Sequence, residues 1–492
     1  MKPRNIVFFQ AESWDGRMLG SLGHPALAQA TPNLDRIARQ GIQFRNTYCT
    51  APICCPSRAN LWSGRYTHHC ESWNNYKGLE PGMWALLDDL PATHTLATFG
   101  KLDYRSGGHS IQARVSAWLG AANLDKPSYR FDPAQAIAVD PGTAPRYHEG
   151  DWRLIDQSIA FLELQQRHTT GRPFFLNISP HLVHAAFRTN RHWLERIPEA
   201  AVDIPPIDPC DHPCIAYQRR NKSWQHGYDE TTVRRVRRIY FAMCAEADAL
   251  VGAVYDALVR LGLAEDTYFV FSSDHGELAL EHQQYYKMSP YEGSVRVPMT
   301  MTGPGIPAGT ATDNLVSLID LCPTFLEMAG QPPRPACDGE SLLPLATGKT
   351  KSSRNTAFAS LTETTLNTSV FMLRKADWKY IKYVNYPCQL FNLAQDPGEL
   401  DDCSTARPDI VRHMEAELRA IVDDEQTHRD WQDYCRSAFR QWRRQALRGL
   451  YVDDAYSLRG RPSSDYWTIM DNCFTGYGPQ DEERVLRWLA EG

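Results

Sequence analysis

Three short apolar runs, each followed at once by polar residues, place the strongest constraint on how this chain can fold. The runs cover residues 5–10, 173–178 and 267–271, and they are rich in aromatic and β-branched side chains. Such continuous apolar runs are typical of strands that are buried on both faces. The polar clusters that follow directly are Ala11-Glu12-Ser13, Ser179-Pro180-His181 and Ser272-Ser273-Asp274-His275-Gly276.

Helical patterns lie between these runs, at residues 32–40 and 232–261. Alternation of strands and helices predicts an α/β fold, in which a large, mostly parallel sheet is covered by helices on both faces. Ligands of such sheets gather at the carboxyl ends of the strands. The polar clusters occupy those ends, so the fold prediction also predicts where a site would lie.

The composition of the chain changes after about Pro344. Runs near 371–373, 378–383 and 389–391 indicate antiparallel strands, and residues 408–447 have a charged helical pattern. We therefore predict a catalytic α/β domain over residues 1–345 and a C-terminal subdomain over residues 346–492. The aromatic-rich end of the chain is expected to wrap the core or to contact another subunit, and the charged helices are candidates for forming a homo-oligomer.

Charge and cysteine content bear on partners and location. The 52 basic and 58 acidic side chains nearly balance, which gives no electrostatic case for binding nucleic acid or an anionic membrane. No stretch is long enough to span a bilayer, and the first apolar run is too short for a signal peptide. The 13 cysteines include no Cys-x-x-Cys pair. We therefore expect reduced cysteines and a cytoplasmic location.

Carboxylates and an imidazole follow two of the predicted strands. Glu12, Asp274 and His275 would meet at one edge of the sheet, where they could bind one divalent cation. Carboxylate oxygens favour Ca²⁺ or Mg²⁺, and an imidazole nitrogen also admits Mn²⁺ or Zn²⁺. On its own, Asp-His-Gly after a strand is more often a simple turn.

The segment 54–64 could supply the rest of a site for a tetrahedral anion. Pro56 and Ser57 precede a helical run, and the N-terminus of a helix attracts anions. Arg58 lies in the first turn of that run. Lys101 and Lys287 are candidates for neutralising charge on a transferred group. The alternative is a pair of buried cysteines, Cys54 and Cys55, ahead of an ordinary helix.

Residues 54–64 also match the pattern C-x-P-S-R-x-x-L-x-[ST]-G, and with it the chain resembles the type I sulfatases of the alkaline phosphatase superfamily. Within this family it is most similar to the arylsulfatase K group. The resemblance extends from about Asn5 to Glu399. The other segments that carry it are 5–11, 31–35, 71–75, 99–104, 242–246, 272–281, 291–298 and 303–305.

The resemblance implies a role for each candidate residue. Cys54 would be oxidised to formylglycine by a maturation enzyme, and its hydrate would attack sulfur. Glu12, Cys54 (as the hydrate), Asp274 and His275 would bind one metal ion, with Ca²⁺ expected first and Mn²⁺ or Mg²⁺ as alternatives. The remaining roles fall to four residues: Arg58 and Lys101 would steady the hydrate, Lys287 would reach the sulfate, and His181 would assist the leaving group.

The chain departs from the family pattern at three places. Glu12 and Ser13 replace the usual pair of aspartates after the first strand. Asp103 stands where most sulfatases have a histidine, and His109 is the nearest substitute. His275 replaces a common asparagine, and phosphonate and phosphate monoesterases of the superfamily also carry histidine there. Hydrolysis of phosphonate or phosphate esters is therefore the alternative to sulfate chemistry.

The expected activity is hydrolysis of a sulfate monoester. Similarity to the arylsulfatase K group points to the 2-O-sulfate of a uronic acid in glycosaminoglycan fragments, and small aryl or alkyl sulfates are also candidates. A third hypothesis is a binding protein that has kept the fold without catalysis. It predicts an unmodified thiol at Cys54 and no bound metal.

Overall fold

A seven-stranded sheet forms the centre of the protein. The computed structural model describes residues 3–107, 115–124, 126, 137–167, 171–222, 229–362, 366–451 and 463–491. The strands are β1 (Asn5–Ala11), β2 (Ile42–Tyr48), β3 (Thr95–Gly100), β4 (Ala138–Asp140), β5 (Phe174–Ser179), β6 (Arg188–Asn190), β7 (Thr267–Ser273), β8 (Arg296–Thr302), β9 (Thr310–Ser317), β10 (Thr356–Leu361), β11 (Val370–Lys375), β12 (Trp378–Tyr383) and β13 (Gln389–Asn392).

The large sheet has the strand order β3-β5-β1-β7-β8-β2-β9. The pairs β3–β5, β5–β1, β1–β7 and β2–β9 are parallel, and β8 runs antiparallel to both of its neighbours. The prediction of a mostly parallel sheet is confirmed. The three strands expected from the apolar runs are β1, β5 and β7, which are adjacent.

Helices cover both faces of this sheet, as predicted. The α-helices of the described residues are α1 (Pro32–Arg39), α2 (Cys54–Ser63), α3 (Thr67–Cys70), α4 (Leu86–Asp89), α5 (Ser116–Leu119), α6 (Glu149–Arg167), α7 (Arg191–Leu194), α8 (Pro213–Asn221), α9 (Glu230–Arg260), α10 (Glu292–Val295), α11 (Leu321–Met328), α12 (Leu343–Ala346), α13 (Pro408–Arg419), α14 (Asp424–Ala446), α15 (Tyr466–Cys473) and α16 (Pro479–Ala490).

Strand β1 shows how the two cores form. Because side chains alternate along a strand, Ile6 and Phe8 face a core that contains residues of α2 and α11. Val7 and Phe9 face a second core that contains the buried side of the 31-residue α9. All four side chains are completely buried. Double-sided burial explains why this strand reads as a continuous apolar run.

The C-terminal part begins with the antiparallel sheet β10-β11-β12-β13, which also confirms the sequence prediction. Lys379 on β12 is completely buried, and its Nζ lies 3.1 Å from Glu292 and 2.7 Å from Glu399. This ion cluster joins the small sheet to α10. The domain boundary at residue 345 stays a prediction.

The aromatic-rich end packs on the protein's own helices. Trp431 and Phe439 of α14 form a buried cluster with Ile469 of α15 and Trp488 of α16, together with Trp118 of α5. In the described residues, no helix is both long and apolar enough to cross a membrane.

Candidate active site

The register of the parallel strands brings the predicted site residues together. Ala11 at the end of β1 is aligned with Ser273 at the end of β7, so Glu12 and Asp274 leave the sheet side by side. Gly100 at the end of β3 is aligned with Ser179 of β5. Residues from four strand ends therefore meet at one edge of the sheet; three of these strands were predicted from the sequence, and β3 was not.

Gly100 is required for this arrangement. Its backbone has φ of +90°, and a Cβ atom there would lie 2.1 Å from the carbonyl oxygen of Ser179. A side chain would therefore push β3 away from β5, and only glycine tolerates both the conformation and the contact. The close approach lets the Lys101 amide donate to Ser179 O at 2.9 Å and aims the lysine at the site.

Helix α2 presents Cys54 to this edge. The helix begins at Cys54 itself, so Pro56 and Ser57 lie inside its first turn and do not precede it. Cys54 Sγ lies 3.3 Å from Glu12 Oε1 and 3.3 Å from His275 Nε2.

The donor set fits a divalent cation. Ligand atoms of Glu12, Cys54, Asp274 and His275 all lie within 4.8 Å of one another, and the four residues are buried. Glu12 Oε2 is buried without a hydrogen-bond partner among the described residues, which is costly for a carboxylate unless a cation is bound. Two carboxylates, an imidazole and an oxygen in place of sulfur suit a hard or intermediate ion.

Arg58 organises the site from beneath. Its guanidinium is completely buried, and Nε donates to Asp274 Oδ2 at 2.9 Å. Nη1 donates to the side chains of Gln10 and Ser179 and to the carbonyl of Lys101. Within the described part of the chain, only Nη2 is left without a partner. Arg58 therefore links four strand ends, those of β1, β3, β5 and β7.

Lys101 and Glu12 form a buried ion pair next to Cys54, with Nζ 2.5 Å from Oε1. Burial alone would raise the pKa of the Glu12 carboxyl, but the Lys101 ammonium holds that pKa well below its ordinary value. Burial would likewise lower the pKa of Lys101, and the charges of Cys54 and Glu12 raise it instead. Both groups are therefore charged at neutral pH.

The two histidines after β5 occupy different positions. The side chain of His181 is 71% exposed, and its Nδ1 lies 3.6 Å from Glu12 Oε2. This contact raises the pKa of His181. The predicted residue therefore lies at the mouth of the site, where a leaving group would depart.

His184 is a site residue that the sequence analysis missed. Its Nδ1 donates to the carbonyl of Ala185, so Nε2 is free to accept from Lys287 Nζ at 2.6 Å. Burial and then the Lys287 ammonium lower the pKa of His184, and Cys54 is also in contact with the ring. The position three residues after His181 was the available signal, because a short loop can turn both rings to the same edge.

Asp103 stands where most sulfatases have a histidine, and His109 was the nearest substitute; the structure describes only the first of the two. Asp103 is buried, with Oδ2 3.5 Å from Lys101 Nζ, so it adds negative charge beside the lysine. His109 lies outside the described residues.

Comparison with known proteins decides the family. The profile of the sulfatase family matches residues 4–331. The chain belongs to the sulfatase family. A second profile, described as N-sulphoglucosamine sulphohydrolase, C-terminal, matches residues 280–424. Members of the sulfatase family generally use a metal ion and a formylglycine, in agreement with the cluster around Cys54.

Curated relatives share most of their length with this chain. Arylsulfatase K of Homo sapiens is 35% identical over 486 residues, which cover 93% of this chain and 89% of the relative. Arylsulfatase K of Canis lupus familiaris is 36% identical over 467 residues, which cover 89% and 86%. The protein is thus a sulfatase, an enzyme that hydrolyses sulfate esters.

These relatives overturn one expectation. Arylsulfatase K homologues are enzymes of the lysosome or the secretory pathway, so the prediction of a cytoplasmic location is wrong. The prediction relied on the lack of a signal-like run and on cysteine spacing, and neither feature identifies a compartment.

Solved structures confirm the fold. The phosphonate monoester hydrolase of Agrobacterium radiobacter superposes with a TM-score of 0.69 at 19% identity, covering 85% of this chain and 95% of the other. A 2-O GAG sulfatase superposes with a TM-score of 0.65 at 21% identity, covering 89% and 94%. Both have the alkaline phosphatase-like architecture that was predicted.

Proposed function

We propose that this sulfatase works through a formylglycine formed at Cys54 by a maturation enzyme, together with one divalent cation. The observation that carries the proposal is the placement of Cys54 at the start of α2, 3.3 Å from both Glu12 and His275. A hydrated aldehyde supplies an oxygen nucleophile, and the cation stabilises negative charge on the oxygens around sulfur. Ca²⁺ is proposed first, with Mn²⁺ or Mg²⁺ as alternatives.

The other charged side chains around Cys54 would contact the nucleophile and the sulfate. Lys101 and Arg58 Nη2, which has no partner among the described residues, would steady the nucleophile. The Lys287 ammonium donates to His184 Nε2 and has further N–H groups to offer to sulfate oxygens. His181, exposed at the mouth, is placed to give a proton to the departing alcohol oxygen.

The proposed substrate is a sulfated uronate saccharide. Identity of about 35% to arylsulfatase K over most of the chain supports this class, and the name of one structural neighbour specifies a 2-O GAG sulfatase. Small aryl and alkyl sulfates are the practical probes. Self-association through the charged helices α13 and α14 stays a proposal.

A comparison of two ester classes tests sulfate against phosphorus chemistry. We expect kcat/KM for para-nitrophenyl sulfate to exceed that for an aryl phosphonate by at least about tenfold, because the site has to discriminate the charge and geometry of the transferred group. Both rates are measured on the same preparation with formylglycine at Cys54. A faster phosphonate reaction would move the assignment to the alternative activity.

Substrates with different leaving groups distinguish the roles of His181 and His184. We expect His181→Ala to lower kcat/KM about 100-fold on an alkyl or saccharide sulfate, because an alkoxide needs a proton to depart. The same variant should have little effect on para-nitrophenyl sulfate, whose phenolate leaves unprotonated. His184→Ala should slow both substrates alike, since its ring contacts Lys287 and Cys54. Equal losses on both substrates for His181→Ala would rule out its role as a proton donor.

A further inference from the structure

Lys287 reaches the site from a loop with an unfavourable backbone conformation. The loop connects β7 to α10, and the residues on either side of the lysine, Tyr286 and Met288, have φ of 67° and 65°. Residues other than glycine adopt this left-handed region only at an energetic cost. The conformation therefore persists only where neighbouring groups hold it.

Two side chains at the end of α8 hold this backbone. Lys222 Nζ donates to the carbonyl oxygen of Lys287 at 2.6 Å and to Gln284 Oε1 at 3.0 Å. Gln218 Nε2 donates to the carbonyl oxygen of the next residue, Met288. Gln218 lies in α8 and Lys222 follows its last residue. Because the two are four residues apart, their side chains lie on the same side of the helix and can hydrogen-bond to the consecutive carbonyls of Lys287 and Met288.

The same peptide is also tied to the nucleophile segment. The amide of Met288 donates to the carbonyl of Pro52 at 2.9 Å, two residues before Cys54. In the peptide group that joins Lys287 to Met288, the carbonyl oxygen therefore accepts from Lys222, and the amide donates to the segment just before α2. A shift of this short stretch would therefore move the Lys287 ammonium relative to Cys54.

Burial of the Lys222 side chain at this position is energetically unfavourable. Lys222 is only 1% exposed, and a buried ammonium is strongly destabilising unless its hydrogen bonds are satisfied. An apolar side chain of the same length would fill the space without that cost. Among the described residues, its shortest hydrogen bond is to the main-chain oxygen of Lys287, which indicates that the charge serves the conformation of that residue.

We propose that Lys222, with Gln218, is a positioning residue for sulfate hydrolysis. The pair fixes the backbone at Lys287 so that the Lys287 ammonium stays 2.6 Å from His184 and faces the transferred sulfate. The inference rests on the proposed function in one respect, the contact between Lys287 and sulfate. Lys222 itself lies behind the loop and touches no reacting atom.

Replacement of Lys222 by methionine tests the proposal, because methionine keeps the length and removes the charge. We expect Lys222→Met to lower kcat/KM on para-nitrophenyl sulfate about 10- to 100-fold, as displacement of a positioned group by about 1 Å does. Inhibition by inorganic sulfate should weaken in parallel. Lys382→Met is the matched control, since it removes a lysine of β12, in the small sheet, that pairs with Glu415 of α13. It should leave both values unchanged.

A double-mutant cycle with Lys287→Ala separates positioning from a general structural role. If Lys222 acts through Lys287, adding Lys222→Met to Lys287→Ala should change kcat/KM by less than about threefold. Losses that multiply in the double variant would overturn the proposal. So would a folded Lys222→Met variant with the rate and sulfate inhibition of the parent.

Gln218→Met provides a second route should Lys222→Met fail to fold. It removes only the bond to the carbonyl of Met288, and we expect the same direction of effect and the same loss of additivity with Lys287→Ala. An unchanged rate in this variant would likewise count against a positioning role for Gln218 and Lys222. A parent enzyme that is inactive on sulfate esters would overturn the proposed function and this inference together. An active parent whose Lys222→Met and Gln218→Met variants keep the parent rate would overturn the inference alone.

Discussion

Replacing Cys54 by alanine is expected to abolish sulfatase activity, with a loss of at least about 10⁴-fold in kcat/KM, because no other nucleophile occupies its position between Glu12 and His275. The parent protein, produced with a formylglycine-generating enzyme, should show a loss of about 18 Da in the peptide that contains Cys54. Peptide mass spectrometry and rates on para-nitrophenyl sulfate measure the two effects.

The neighbouring cysteine provides the matched control. Cys55 is also completely buried in the first turn of α2, but it occupies a variable position of the signature. Cys55→Ala should keep both the mass loss at Cys54 and the activity. Parent protein made without the maturation enzyme should keep the thiol and be inactive. Full activity of an unmodified thiol, or of Cys54→Ala, would contradict the proposed nucleophile.

The sequence predicted the residues that lie directly at strand ends. Glu12 and Asp274 directly follow β1 and β7, and parallel pairing aligns the ends of neighbouring strands. Their convergence therefore depends on the sheet alone. Cys54 and Arg58 required the signature, since nothing in local periodicity indicates that α2 points its first residue at that edge.

The residues that were missed depend on contacts distant in sequence. His184 is placed by Lys287, 103 positions away, and by a hydrogen bond to its own loop. Exposure also distinguishes it from His181, and no sequence pattern reports the exposure of two histidines in one short loop. Lys222 is similar: on sequence grounds a lysine is expected to be solvated, and only the fold buries it.

The end of the chain was hard to place for a related reason. Trp488 of α16 packs into a cluster with Trp118 of α5, which lies hundreds of residues upstream. An amphipathic helix shows which face it buries but not the partner that covers it. Strand β1 differs, because burial on both faces produces a continuous apolar run that can be recognised from the sequence alone.

Replacing Glu12 by glutamine is expected to have the second largest effect. The change keeps the size of the side chain but removes one of the two carboxylates of the candidate metal set and the partner of Lys101. We expect at least about a 100-fold loss of kcat/KM and a 10- to 100-fold weaker affinity for the divalent cation, because loss of an oriented ligand or its partner has effects of this size. Calorimetric titration of the metal-free protein with Ca²⁺, Mn²⁺ and Mg²⁺ measures the affinity independently of turnover.

Two further substitutions make this result specific. Glu415→Gln removes a half-buried carboxylate that pairs with Lys382 and Arg419 away from the site, and it should change neither rate nor metal affinity. Glu12→Asp restores the residue type that most sulfatases carry after the first strand. Since Lys101 Nζ contacts Glu12 Oε1 at 2.5 Å, the shorter aspartate should keep the charge but lengthen this contact. It should therefore retain more activity than glutamine and less than glutamate. Metal affinity that is unchanged in Glu12→Gln would exclude Glu12 as a ligand, and the strand-end carboxylate would then serve only to hold Lys101.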